Sequence, residues 1–290
     1  MKQIGIIGMG KWGKNLIREF SNFVEISKCV TNGNQDNIKW IQKYFSKTKS
    51  STNINDILDD NSIDAVVIAT PIITHYELIK KVLESGKHVF VEKPMTQTIT
   101  QANDIISIAK SKKLCLFVGH VFLHNQIFRQ IKKINEQEFI TDINFDWRKF
   151  GTFNEDIFEN LLTHDLSINL ELFGIPKKIE LLSKFSCITA ADSLYVKLDY
   201  GKNRKSHIHI NRISNYKKKV VTIVTKKNLF IWDDDKLFKI YFQSTNTPLF
   251  LECKNFVSDI SSKKSIINSA ILARNIITII SKINKKTVKI

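Results

Sequence analysis

The stretch GMGKWG (8–13) places glycines at positions 8, 10 and 13, after the apolar run QIGII (3–7) and before the helical pattern WGKNLIREF (12–20). Ordered glycine costs backbone entropy, so three within six residues answer a geometric need. In the spacing G-x-G-x-x-G, Gly8 makes the tight turn out of the strand, Gly10 admits a pyrophosphate against the backbone, and Gly13 lets the helix pack closely on the sheet. A dinucleotide would then lie against Gly8, Gly10, Lys11, Trp12 and Gly13, where free N–H groups and the helix dipole favour negative charge. A tight turn without a ligand is the alternative. The fingerprint expects an acid roughly 20 residues on to hold a ribose hydroxyl. Thr31, Asn32, Gly33 and Asn34 stand there instead, the first acid is Asp36, and no arginine lies in the turn. The expectation leans to NAD over NADP, with Thr31 and Asn32 beside the ribose.

The elements that must position this turn are legible in the pattern. QIGII, ISKCVT (26–31), DAVVIAT (64–70), KHVFVE (87–92) and LCLFVG (114–119) carry little polar alternation, as strands buried on both faces of a parallel sheet do. Helical spacing fills the intervals, and the βαβα alternation predicts a doubly wound Rossmann sheet over residues 1–120. Beyond it, period-two runs such as DINFDWRKF, SLYVKLDY, SHIHINRI, KVVTIVT and LFIWDD predict a large, mainly antiparallel open sheet. Helices are added to it by HNQIFRQIKKINEQ, EDIFENLLTHDLSINLELFG and SIINSAILARNIITIISKI. Residues 121–290 are thus expected to form an α+β domain, to which the resemblance described below assigns substrate binding and oligomerisation.

Composition narrows the setting. The 290 residues are 43% hydrophobic, enough for two cores. Cys29, Cys115, Cys187 and Cys253 are far apart and form no CxxC pair, which predicts a reducing compartment and neither a disulfide framework nor a metal site. No apolar run reaches the roughly 18 residues that span a bilayer, and the first strand leads straight into the glycine turn. A cytoplasmic protein without membrane contact is expected. The net charge of +16 is spread over the whole chain and accompanies no nucleic-acid motif. It favours an anionic small molecule over nucleic acid as partner.

ATPIITHYEL (69–78) and GKHVFVEKP (86–94), following the glycine motif, resemble the Gfo/Idh/MocA family of nicotinamide-dependent sugar oxidoreductases. The resemblance continues through VGHVFLHNQIFRQIK (118–132), LLTHDLSINLELFG (161–174), VVTIVTKKNLFIWDDDK (220–236) and PLFLECKNFV (248–257). Within the family these segments are most similar to members acting on nucleotide-linked sugars in surface polysaccharide assembly, including UDP-N-acetylglucosamine 3-dehydrogenases. The resemblance implies nicotinamide meeting sugar between a Rossmann and an α/β domain, in a homo-oligomer, dimer or tetramer. It places Thr70, Pro71 and His75 along the cofactor, and Glu92, Lys93 and Pro94 at the end of the fifth strand with a cis bond before the proline.

Moving a hydride between nicotinamide and a secondary alcohol or ketone leaves the protein to handle a proton. Histidine, with an unperturbed pKa of about 6.5, exchanges one at neutral pH, and His164 matches the family's catalytic histidine. Lys93 is a compact cation suited to a developing alkoxide. Related sequences carry Asp four residues before the histidine; Asn160 stands there and can bond a sugar hydroxyl but cannot take its proton. His120 and His124 flank a strand exit and are candidates for positioning substrate. Asp165 faces another side of the helix from His164, so it need not partner that histidine, and a surface or capping role is equally open to it. The expected activity is oxidation at C3 of a nucleotide-linked sugar. The alternatives are a ketoreductase on a related sugar and a non-catalytic dinucleotide or sugar sensor.

Overall fold

A computed structural model describes residues 3–233, 236–238, 246–261 and 266–284. Asp234 and Asp235 of the 220–236 stretch, Ser265 of the last apolar stretch, and residues 285–290 of the expected second domain lie outside the described residues.

The chain opens β1 (Gln3–Ile7), α1 (Lys11–Phe20), β2 (Glu25–Val30), α2 (Gln35–Tyr44), β3 (Lys49–Ser51), α3 (Asn55–Leu58), β4 (Ile63–Ile68), α4 (His75–Glu84), β5 (His88–Glu92), α5 (Ile99–Ser111) and β6 (Leu116–Gly119). The strands pair in parallel in the order β3-β2-β1-β4-β5-β6, the Rossmann arrangement, in which ligands bind beyond the carboxyl ends of the strands. The apolar runs are strands because both faces are covered: Ala65, Val66, Val67 and Ile68 of β4 are all inaccessible. β3 was not expected; only three residues long and largely polar, KSS carries no apolar signal.

The second sheet follows α6 (Gln126–Gln137). It contains β7 (Ile140–Phe150), then, after α7 (Thr163–Phe173), β8 (Lys178–Phe185), β9 (Ser193–Gly201), β10 (Arg204–Asn211), β11 (Ile213–Thr225), β12 (Leu229–Asp233) and β13 (Lys236–Phe238). Its order is β13-β12-β11-β7-β10-β9-β8, antiparallel except for the parallel pair β7–β10. Alternation sorts its faces: Leu194, Val196 and Leu198 of β9 and Ile208 and Ile210 of β10 point into the core. On the other face Asp146 accepts from Arg148 at 2.8 Å and Lys218 at 2.8 Å.

The last helices are α8 (Pro248–Ser261) and α9 (Asn268–Asn284). By contacts the chain divides into Met1–Val121 with Asn246–Arg274, and Phe122–Thr245 with Asn275–Ile290. The expectation of one unbroken second domain over 121–290 is corrected by α8. Phe256 of this helix is inaccessible and lies 5.9 Å from Phe20, 5.6 Å from Phe90 and 5.7 Å from Phe117, centroid to centroid. These rings bury far more apolar area together than apart, which draws α8 into the first core.

Candidate functional site

In the first unit the three glycines do different work. Gly8 has φ +100°, and a Cβ there would lie 2.4 Å from the carbonyl oxygen of Ala69. A Cβ on Gly13 would lie 2.2 Å from the carbonyl oxygen of Gly8. Both positions are closed to any side chain by backbone. A Cβ on Gly10 would meet nothing within 4 Å. Gly10 also caps α1 without a side-chain hydrogen bond, and no acid stands in the first turn of that helix. The open space in front of these amides, which a side chain at position 10 would fill, fits a pyrophosphate.

Around the turn, the exposed Trp12 donates its indole N–H to Glu92 Oε1 at the end of β5. Burial pushes the Glu92 carboxyl up to about 7, against the pull of the Trp12 hydrogen bond and the Lys93 charge. The Lys93–Pro94 peptide is cis. His75 is 1% exposed, and its ring nitrogens lie 2.8 Å from the carbonyl oxygens of Pro94 and Thr70. That ring is a strut joining the loops after β4 and β5 rather than an open contact. Thr70 Oγ1 lies 2.7 Å from Thr74 Oγ1, and Pro71 is exposed beside it. Thr31 is buried and Asn32 exposed after β2.

Glu252 was not singled out from the sequence. It sits on α8, 1% exposed, beneath His120, whose backbone N–H it receives; His120 is itself 2% exposed. Burial first and then the neighbouring Glu92 raise its carboxyl well above the ordinary value. The available signal was a lone acid inside the apolar run PLFLECKNFV.

In the second unit, His164 lies in the first turn of α7, directly after a π turn over Phe158–Leu162 that contains Asn160. Such wide turns recur at functional sites. Asp156 Oδ1 receives the N–H of Phe158 at 2.8 Å and of Glu159 at 3.1 Å. The preceding loop is pinned by Arg212, which donates to the carbonyl oxygens of Thr152 at 2.9 Å and Glu155 at 2.5 Å. Arg212 is paired in turn with the inaccessible Asp192. The His164 ring meets Phe122 edge-on at 4.7 Å and Trp147 at 6.3 Å. Lys219 sets its ammonium over both, 3.4 Å from the Phe122 centroid and 5.0 Å from that of Trp147.

Asp165 departs from its expected surface or capping role. It is 5% exposed, because α7 is buried on nearly every side, and that helix has no side-chain cap. Burial pushes its carboxyl up to about 7, with Lys219 pulling it down. His124 is half-buried, and burial followed by the charge of Arg129 brings it down to about 4. Among the described residues no cluster of His, Cys, Asp and Glu could hold a metal ion, and no helix is long and apolar enough to cross a membrane.

A parallel sheet in 3-2-1-4-5-6 order with an open glycine turn defines a dinucleotide-binding fold. Residues 2–120 match the Gfo/Idh/MocA oxidoreductase family with an NAD-binding Rossmann fold. The scyllo-inositol 2-dehydrogenase (NADP(+)) IolW of Bacillus subtilis is 27% identical over 220 residues, covering 69% of this chain and 60% of that protein. The chain thus spans less than two thirds of the length of the curated relatives it matches. Among solved structures, UDP-N-acetylglucosamine 3-dehydrogenase GnnA from Acidithiobacillus ferrooxidans superposes with a TM-score of 0.84 at 17% identity, covering 97% of this chain and 96% of that one. GenD2 from gentamicin A biosynthesis, in complex with NAD, does so at 0.81 with 13% identity, covering 97% and 92%.

Proposed function

We propose that the chain is an NAD(P)-dependent oxidoreductase acting on a secondary alcohol or ketone of a sugar-like substrate, with C3 of a nucleotide-linked sugar as the finer expectation. One observation carries the reading: Gly8 and Gly13 are closed by backbone, while Gly10 leaves space in front of uncapped amides. The pyrophosphate would rest on the residues of that turn, with Thr31 and Asn32 at the ribose and Thr70, Pro71 and Glu92 further along. When bound, the dinucleotide supplies the hydride acceptor or donor. Neither an acid nor an arginine occupies 31–35, and NAD stays the preferred form.

Lys93 holds positive charge toward the substrate oxygen and favours its alkoxide. His164 takes the alcohol proton or returns it to the ketone, its ring oriented by the walls of Phe122 and Trp147. Asn160 offers an amide to a neighbouring hydroxyl and His124 positions substrate, whereas His120, expected beside it, is 2% exposed and closed to direct contact. The outer face of the second sheet, where Tyr195 is 37% exposed, supports assembly with copies of itself. The activities of IolW and GnnA, a polyol and a nucleotide-sugar dehydrogenase, support this substrate class.

The test is a screen of the purified protein with NAD and NADP against scyllo-inositol and a panel of UDP-, dTDP- and CDP-sugars. Lys93→Ala and His164→Ala should lower turnover by about 10²–10⁴-fold, while dinucleotide affinity, read by fluorescence titration, stays close to that of the parent. Equal turnover in parent and both variants removes the assignment.

A further inference from the structure

Arg212 lies between β10 and β11 at 2% exposure, and every N–H of its guanidinium has an acceptor. Nε donates to Asp192 Oδ1 at 3.2 Å, and Nη2 to Thr189 Oγ1 and, at 2.8 Å, to the carbonyl oxygen of Ala191. These partners belong to the loop between β8 and β9. Nη1 reaches the other way, to the carbonyl oxygens of Thr152 at 2.9 Å and Glu155 at 2.5 Å, in the segment between β7 and the π turn. The backbone adds a bond from the Gly151 N–H to the Arg212 carbonyl at 3.1 Å and one from the Arg212 N–H to that of Asp192 at 3.0 Å. A planar fork with donors in fixed directions sets the two loops at one spacing, whereas a lysine ammonium, a point charge on a flexible stem, does not.

The segment so held is strained. Thr152 has φ +61°, left-handed backbone that a β-branched residue adopts only where its surroundings impose it, and such residues gather at functional sites. Glu155 precedes Asp156, whose Oδ1 receives the N–H groups of Phe158 and Glu159 and whose carbonyl oxygen accepts the Asn160 N–H at 2.9 Å. Bonded contacts thus run from the guanidinium to Asn160, four residues before His164.

We propose that Arg212 is a positioning residue for the reaction: through the carbonyls of Thr152 and Glu155 it sets the segment that aims Asn160 and His164 at the sugar. The role rests on the sugar-oxidoreductase reading above. At 2% exposure Arg212 is closed to substrate, so it acts on the rate of the chemical step through the residues it holds.

Full-length wild type, Arg212→Lys, Thr152→Pro and Val196→Ala are assayed with NAD and NADP on the sugar turned over in the screen above. Lysine keeps a cation for Asp192 but not the fork. Proline, with φ fixed at about −65°, excludes the left-handed turn at position 152 and leaves the Arg212 pair with Asp192 in place. Val196→Ala opens a cavity in the inaccessible core of the same sheet and lowers stability without touching the segment. In Arg212→Lys and Thr152→Pro kcat should fall about ten- to a hundredfold with KM for the sugar within about threefold of wild type, because misplacing a reacting group by about 1 Å costs rate on this scale. Dinucleotide affinity, read by fluorescence titration, should be unchanged. Val196→Ala should keep the wild-type kcat well below its melting temperature. Should Arg212→Lys fail to fold, Thr152→Pro decides by the same readout. Wild-type kcat in either variant overturns the positioning role alone, as does an equal loss in Val196→Ala, which would mark general destabilisation. Turnover of no sugar by the wild type overturns the sugar-oxidoreductase reading, and this role with it.

Discussion

Asp165 shows what burial does to a single carboxyl. In the unfolded chain it titrates near its ordinary 3.8, and in the native chain near 7. Between those values the native state holds a proton that the unfolded state has released, so its contribution to stability falls as pH rises through that window. Asp165→Asn has no such titration. Urea unfolding should therefore show wild type losing stability relative to this variant between about pH 4.5 and about pH 7.5; a constant difference would contradict the burial argument. The glycines make a second prediction at this scale. Gly10→Leu should fold with unchanged thermal stability yet lose dinucleotide affinity by at least about tenfold, since its side chain enters the ligand's space and nothing else. Gly13→Ala should instead cost about 1–3 kcal/mol or more through overpacking, read by denaturant unfolding.

At the scale of elements, legibility followed burial. The five runs read as strands are strands, because a two-sided apolar environment selects the Val, Ile and Phe that announce it. β3 and β13 are short, at three residues each, and were held in place by neighbours that the sequence does not display. The stretch 155–174 was readable as helix, but its π turn over Phe158–Leu162 was not, because turn width depends on what packs against it. The glycine turn, Lys93 and His164 were visible as motif. Glu252 and the pairing of Asp165 with Lys219 were not, since they arise from elements distant in sequence. Arg212 and Asp192 illustrate the same point. Burial pushes the Asp192 carboxyl up, but Thr189 amide and hydroxyl and the amides of Cys187 and Ile188 hold it below the usual carboxylate range. Arg212 then fixes the loop leading to the π turn. Arg212→Met should leave Asp192 buried without its cation and cost about 3–5 kcal/mol. Urea unfolding measures the cost, and a change near zero would mean that solvent reaches the carboxylate.

For the whole molecule, the net charge is +16. Self-association is the testable consequence of the second sheet, whose outer face presents Tyr195 at 37% and Leu182 at 42% exposure beside the Asp146, Arg148 and Lys218 ion pairs. Light scattering behind size exclusion should give the mass of a dimer or tetramer; a monomer at micromolar concentration would remove the assembly from the proposal. The placement of Phe256 carries a consequence for how the protein is made. During synthesis Phe20, Phe90 and Phe117 leave the ribosome long before the ring that covers them. The nascent chain therefore carries an exposed aromatic patch until some 250 residues have been polymerised. A gene fragment cut after the last strand of the first sheet would keep that patch for good, and with it a standing tendency to aggregate.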